Sequence, residues 1–181
     1  MTLRAQIIIA VAVGVVAVGT AAVRNGSAVA HSEPRMTWRQ HVDRADAALG
    51  AHDLRTAREA VRDAVHDAYA NAVRTHQWEP LLHVGDAQQR VEQARGFKAL
   101  GKERARVNYL AALFRAREQR SLDGVLQVAA AFANLGDADV VRQALMVARE
   151  LAGRDPVARE RVDIAVTELS VRIASANGGV R

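Results

Sequence analysis

The fold is decided by residues 124–156, which read GVLQVAAAFANLGDADVVRQALMVARELAGRDP. Apolar residues recur here every three or four positions, which is the spacing of one face of an α-helix. Gly136 and Asp137 interrupt the pattern with a helix-ending glycine followed by an N-cap residue. Asp155 and Pro156 form a second boundary, an N-cap residue followed by a first-turn proline. The segment therefore predicts two antiparallel helices joined by a tight turn.

This helix pair resembles a tetratricopeptide (TPR) repeat. Such a repeat contains two antiparallel helices within about 34 residues in total, which pack through small and large apolar residues at set positions. The resemblance implies that the packing positions are Val125, Val128, Ala129, Phe132, Val141, Leu145 and Ala148. Residues 41–64 and residues 80–119 match the repeat less closely. Their matching positions are Ala45, Ala48, Asp53, Leu54, Ala57, Val61 and Ala64 in the first, and Ala105, Tyr109 and Ala112 in the second. TPR repeats specify a fold and do not specify a ligand.

Helical spacing extends from Thr37 to about residue 176, where glycine, proline and N-cap residues divide it. Thr37 and Gln40 form a capping-box pattern, and Gly101 predicts a break between the third and fourth helices. The predicted helices are 37–50, 53–77, 80–100, 102–119, 121–135, 137–152 and 155–176. We therefore expect an all-α domain over residues 37–176, built as a TPR-like array of about seven helices with a tail at 177–181. A plain antiparallel helical bundle of the same helices is the alternative.

The N-terminal region indicates where in the cell the protein lies. Residues 5–23 are 19 uncharged residues, AQIIIAVAVGVVAVGTAAV, and follow a short basic start at residues 1–4. As a helix they would span about 28 Å, close to the thickness of bilayer hydrocarbon. We expect a transmembrane anchor, with a cleaved secretory signal ending at residues 28–30 as the alternative.

A short tether at residues 24–36 follows this segment. In either case the helical domain is expected outside the cytoplasm of a bacterial cell, at the inner membrane or in the periplasm. The arginines at positions 24, 35 and 39 favour the opposite orientation, because basic residues tend to stay on the cytoplasmic side.

Composition removes several kinds of chemistry. The chain has no cysteine, which excludes disulfides, zinc–thiolate sites and thiol catalysis. Phosphate-loop, GxSxG and HExxH motifs are absent from the sequence. All six histidines lie in the first half of the chain, without the spacing of a metal site. We predict no catalytic residue, no cofactor and no metal site, and we do not expect an enzyme.

Basic residues are concentrated in the middle of the chain. Residues 90–120 contain nine Arg and Lys against three Asp and Glu, a net charge of +6. Residues 31–89 contain seven against nine, a net charge of −2. The central block suits an acidic protein segment or anionic headgroups. The predicted partner-binding residues are Arg95, Lys98, Lys102, Arg104 and Arg106.

These observations predict a membrane-tethered scaffold module that binds a peptide or a partner subunit in a helical-repeat groove. The expected partner is a protein with an acidic segment. Nucleic acid is an improbable partner for an exported domain, and a homo-oligomer is possible. The alternatives are a membrane-associated enzyme subunit and a protein that binds anionic surfaces.

Overall fold

The structure is a computed structural model that describes residues 36–178. Seven α-helices and no strands occur in this part of the chain. They are α1 (Trp38–Gly50), α2 (Leu54–Thr75), α3 (Glu79–Ala94), α4 (Lys98–Glu118), α5 (Leu122–Leu135), α6 (Ala138–Ala152) and α7 (Pro156–Gly178). The prediction of an all-α domain with seven helices is confirmed for these residues.

The helices pack in a regular order. Each helix packs on the next one along the chain, across linkers of only two or three residues. The odd-numbered helices also pack on one another, α1 on α3, α3 on α5 and α5 on α7. In the described part of the chain, the even-numbered helices have no comparable packing among themselves. Successive helices therefore form antiparallel neighbours, and α3 and α5 each pack on four other helices.

Several helix starts follow the predicted capping residues. Thr37 and Gln40 form the full capping box at the start of α1. Asp53 accepts a hydrogen bond from the Thr56 backbone N–H, and hydrogen bonding with the side chain and then the backbone of Thr56 lowers the pKa of the Asp53 carboxyl. Ser121 accepts one from the Gly124 N–H at 3.0 Å. Each cap satisfies a backbone donor that the first helical turn leaves free.

The predicted break at Gly101 is wrong, because α3 ends at Ala94 and α4 already begins at Lys98. Gly96 makes the turn with a left-handed φ of 84°, and the Phe97 N–H then bonds the Glu92 carbonyl at 2.8 Å. Gly101 lies inside α4, where an added Cβ would stand 3.0 Å from the Glu92 Cβ. Glycine at 101 therefore permits a close approach of α3 and α4.

The buried residues form one large cluster, a small alanine-rich cluster, and a third cluster of Trp38, Ala64, Ala68 and Val84. The large core joins α3 through α7 with Ala72 of α2, and contains Trp78, Leu81, Tyr109 and Phe132. The alanine core joins α1, α2 and α3 through Ala45, Ala48, Ala57, Ala60, Val61, Ala87 and Val91. All seven packing positions that the TPR resemblance implied for residues 124–156 are buried.

Tyr109 ties α4 to α3 inside the large core. Its ring meets Phe132 edge-on, with ring centroids 5.7 Å apart, and its hydroxyl donates to the Asp86 carboxylate at 2.5 Å. Burial, together with the nearby carboxylate, raises the pKa of Tyr109 above its usual range. The hydroxyl therefore stays protonated and keeps donating at physiological pH.

The predicted anchor at residues 5–23 lies outside the described residues, as does almost all of the tether at 24–36. None of the helices between residues 36 and 178 combines the length and the apolar character that crossing a bilayer requires.

Candidate binding groove

A groove of about 720 Å³ lies between α2 and α4, with α3 beneath it. We call it the α2–α4 groove. Its lining residues are Leu54, Arg55, Arg58, Glu59, Val61, Arg62, Val65, Gln88, Val91, Glu92, Arg95 and Arg104. The groove exists because α2 and α4 both pack on α3 and do not pack closely on each other.

The apolar part of the groove comes from one side of α2 and one residue of α3. Leu54, Val61 and Val65 follow helical spacing along α2, and Val91 faces them from α3. Val61 and Val91 are buried and belong to the alanine core, whereas Leu54 is exposed. The TPR resemblance implied that Leu54 packs inside the domain, and the structure corrects this by placing it at the mouth of the groove.

Arginine dominates the polar part of the groove. Five arginines and two glutamates line it, which gives the lining a net charge of +3. Arg55 pairs with Glu59 at 3.3 Å, and Arg62 pairs with Asp63 at 3.4 Å. Both pairs are exposed to solvent, so each contributes little to stability. Arg58 has no ion-pair partner among the described residues.

Glu92 fixes two of these arginines in place. Its side chain is only 2% exposed, and its two carboxylate oxygens accept from different guanidinium groups. Arg95 Nη1 donates to Oε2 at 2.6 Å, and Arg104 Nη1 donates to Oε1. A buried carboxylate needs such partners, because an uncompensated buried charge is strongly destabilising. Arg95 and Arg104 thus reach the groove from two different elements and are held together there.

The other three predicted binding residues lie outside the groove. Lys98 is exposed at the first residue of α4. Lys102 Nζ donates to the Leu135 carbonyl at 3.2 Å, and Arg106 pairs with Asp137. These last two contacts connect α4 to the turn between α5 and α6. The structure therefore brings Arg95 and Arg104 together and separates them from Lys98, Lys102 and Arg106.

The sequence analysis missed the arginines of α2. Arg55, Arg58 and Arg62 belong to residues 31–89, whose net charge is −2, so a sum over the segment concealed them. Their spacing of three, four and seven residues does place them on one helical face. A search for basic residues by helical face, rather than by segment, would have found them.

The odd-numbered helices present a different surface. Arg90 of α3 donates to Asp46 of α1 through Nη2, which lies 2.9 Å from both carboxylate oxygens, and through Nε, which lies 3.1 Å from Oδ1. Trp38 stacks on His83 with ring centroids 5.7 Å apart. Charged and aromatic side chains here are used to join neighbouring helices. The α2–α4 groove instead keeps several guanidinium groups facing open space.

The arrangement suits recognition of an anionic, partly apolar ligand. Guanidinium groups bind carboxylates through paired, charge-assisted hydrogen bonds, and valine and leucine side chains accept an apolar surface. Between residues 36 and 178, no three His, Asp or Glu side chains gather as a metal ion would require.

Comparison of the chain with models of known protein families, with characterised proteins and with solved structures gives no match.

Proposed function

We propose that this chain is a membrane-tethered interaction module whose α2–α4 groove binds an acidic, amphipathic segment of a partner protein. The observation that supports this function is the groove itself, in which five guanidinium groups lie beside exposed and buried leucine and valine side chains. An amphipathic helix with acidic residues beside its apolar stripe complements both features. The proposal names no cofactor and no reaction.

The shape of the site favours a protein segment over a lipid surface. The arginines stand on both sides of the groove, with Arg58 and Arg62 on α2 and Arg95 and Arg104 facing them. A narrow ligand that enters the groove reaches both sides at once, whereas a flat array of headgroups meets only the outer edges. A membrane surface is therefore the weaker candidate.

The pairing with Glu92 supports specific recognition. Arginine side chains lose considerable rotamer freedom when they bind a ligand. Glu92 already holds Arg95 and Arg104, so these side chains have lost much of their rotamer freedom before a ligand binds. Each guanidinium group has further N–H donors for an incoming carboxylate.

The helix order supports a TPR-like array rather than a plain bundle. In stacked helix pairs, each unit contacts only its neighbours along the chain. Contacts between odd helices two positions apart, together with contacts between successive helices, are consistent with that arrangement. A bundle around one shared core would also bring together distant helices such as α1 and α7, which do not pack closely on each other.

The proposed tether is residues 5–23, with the helical domain outside the cytoplasm. Its support is the uncharged length of this segment. Protease treatment of spheroplasts that express a C-terminally tagged copy tests this part of the proposal. Loss of the tag to external protease is expected, and a protected tag would contradict export.

The groove is tested by calorimetric titration of the full-length chain, in neutral detergent, with a synthetic acidic peptide. The peptide carries leucine on one helical face and glutamate beside it. We expect binding that weakens with added salt, because exposed charges are screened. Removing two groove charges with Arg58→Ser and Arg62→Ser should weaken binding about tenfold, from two partly exposed charge contacts.

A matched variant removes the same charge elsewhere. Lys98→Ser with Arg117→Ser takes two exposed basic residues from α4 outside the groove. We expect this variant to bind the peptide within about twofold of the unmodified chain, because distant exposed charges are largely screened. Equal losses in both variants would show that net charge alone attracts the peptide.

Two further outcomes test the class of ligand. A peptide with lysine in place of glutamate should not bind. If micelles containing phosphatidylglycerol displaced the acidic peptide and the groove variant lost micelle binding first, the site would be one for anionic lipid. Absence of binding by any acidic amphipathic peptide would contradict the proposed function.

A further inference from the structure

Helix α7 has a face that no other described helix covers. It packs on α5 and α6, through residues that include Val162 and Leu169. On its other side Val157, Ile164 and Val171 are 64%, 52% and 63% exposed. They recur every seven residues, which keeps them on one stripe of the helix. Three large β-branched side chains in a row on a surface helix are typical of a helix-pairing seam.

Two opposite charges beside this stripe are arranged symmetrically about its centre. Val157 and Val171 lie seven residues on either side of Ile164. Arg161 and Glu168 lie on one flank of the stripe, three residues before and four residues after Ile164. At 1.5 Å per residue, the midpoint between Val157 and Val171 and the midpoint between Arg161 and Glu168 lie within about 1 Å of each other along the helix axis. The pattern is thus self-complementary when the helix is reversed about Ile164.

We infer that the exposed face of α7 pairs with α7 of a second copy of this chain, antiparallel and with the two-fold axis at Ile164. In that pairing Val157 faces Val171 of the other copy, and Arg161 faces Glu168. The two-fold axis makes each contact occur twice, as in an isologous interface. A parallel pairing brings opposite flanks together and would separate Arg161 from Glu168.

In a single chain, the side chains of Arg161 and Glu168 remain available for ion pairs with a second copy. Arg161 pairs with Asp123 of α5 and remains 50% exposed, so further N–H donors face solvent. Glu168 lies 4.0 Å from Arg172, at the limit of an ion pair. Both side chains can therefore take an additional partner without breaking a buried contact.

Helix α4 has a second exposed stripe with the same apolar spacing. It serves as a comparison, because the inference for α7 depends on the charges beside the stripe as well as on its spacing. Leu100, Val107 and Phe114 also recur every seven residues, and Val107 is 61% exposed. By the same geometry, reversing α4 about Val107 places Arg104 opposite Ala111 and Glu103 opposite Leu110. The α4 stripe has no charge pair to fix a second copy, and it serves as the control. The α7 pairing is independent of what binds in the α2–α4 groove.

Disulfide cross-linking of the full-length chain in its expressing membranes tests the pairing, since the chain has no cysteine of its own. Oxidation should convert most Ile164→Cys chains to dimers, because the two positions meet at the axis. Val157→Cys alone should give almost none, since its copies would lie about 21 Å apart. Mixed Val157→Cys and Val171→Cys chains should cross-link to each other. Val107→Cys should give no cross-linked dimer.

Charge reversal distinguishes pairing from chance collision. Within the Ile164→Cys chain, Glu168→Arg places Arg opposite Arg, and Arg161→Glu places Glu opposite Glu. Each variant alone should cross-link at most one third as well as the parent, whereas a mixture of the two should form the heterodimer at the parent level. Cross-linking of Val107→Cys equal to that of Ile164→Cys, or no recovery in the mixture, would overturn the inference.

Discussion

The alanine core and the large core both pack neighbouring helices against one another, but they do so with different residues. Five of the seven members of the alanine core are alanine. The large core contains tryptophan, tyrosine, phenylalanine and several leucines. Alanine allows helices to approach closely but removes little apolar surface from water. Because burial contributes about 25 cal/mol per Å², the large core supplies most of the hydrophobic stabilisation.

The alanine core is supplemented by polar side-chain contacts between helices. Arg90 binds both carboxylate oxygens of Asp46, and His41 Nε2 lies 3.4 Å from Asp67 Oδ2. The Arg90–Asp46 pair is partly exposed, so it directs the packing of α1 on α3 more than it stabilises the domain. We therefore expect α1 and α2 to open more easily than α4 to α6. One side of the α2–α4 groove belongs to this less stable region.

The largest expected effect comes from emptying the large core. Phe132→Ala removes a fully buried ring that contacts Tyr109, and should lower the free energy of unfolding by about 3–5 kcal/mol. Urea unfolding of the full-length chain, followed by far-ultraviolet circular dichroism, measures this. Phe114→Ala is the matched control, because Phe114 is exposed on α4 and should change stability by less than about 0.5 kcal/mol. Similar losses at both positions would mean that the large core is not the main source of stability.

A smaller effect is expected from filling the alanine core. Ala57 is fully buried where α2 meets its neighbours, so Ala57→Leu should lower the free energy of unfolding by about 1–3 kcal/mol through overpacking. Ala99→Leu, on the exposed first turn of α4, controls for the substitution itself. The same urea measurement applies. If Ala57→Leu stabilised the chain, the alanine core would be loosely packed, and the contrast between the two cores would disappear.

The sequence predicted most of the helices because their ends carry local signals. Ser121, Gly136 and Asp155 each mark a boundary within one residue of the observed one. The packing positions in residues 124–156 were also predicted, since apolar spacing identifies a buried face directly. Both depend on contacts within one helix or between adjacent helices.

The boundary between α3 and α4 could not be predicted in the same way. Gly96 and Gly101 are equally good turn residues when only their immediate neighbours are considered. The decision depends on the approach of α4 to Glu92, which involves two helices at once. Sequence spacing contains no such distance, so glycine that permits close packing was mistaken for glycine that ends a helix.

The site was predicted in part. Arg95 and Arg104 were identified from the basic block at residues 90–120, but Arg58 of α2 was not. Charge along the chain shows where basic residues are frequent. It does not show which of them share a groove, because that depends on how α2 and α4 are placed over α3.

The two tryptophans lie in different clusters and can serve as intrinsic fluorescence probes of two regions of the domain. Trp38 lies beside α2 and α3 with Ala64, Ala68 and Val84, whereas Trp78 lies in the large core. Chains with Trp38→Phe or Trp78→Phe therefore emit from one region each. If the two emission signals change together during denaturation, the helices behave as one cooperative unit. If the Trp38 signal changes first, the helices around Trp38 separate before the rest of the domain unfolds.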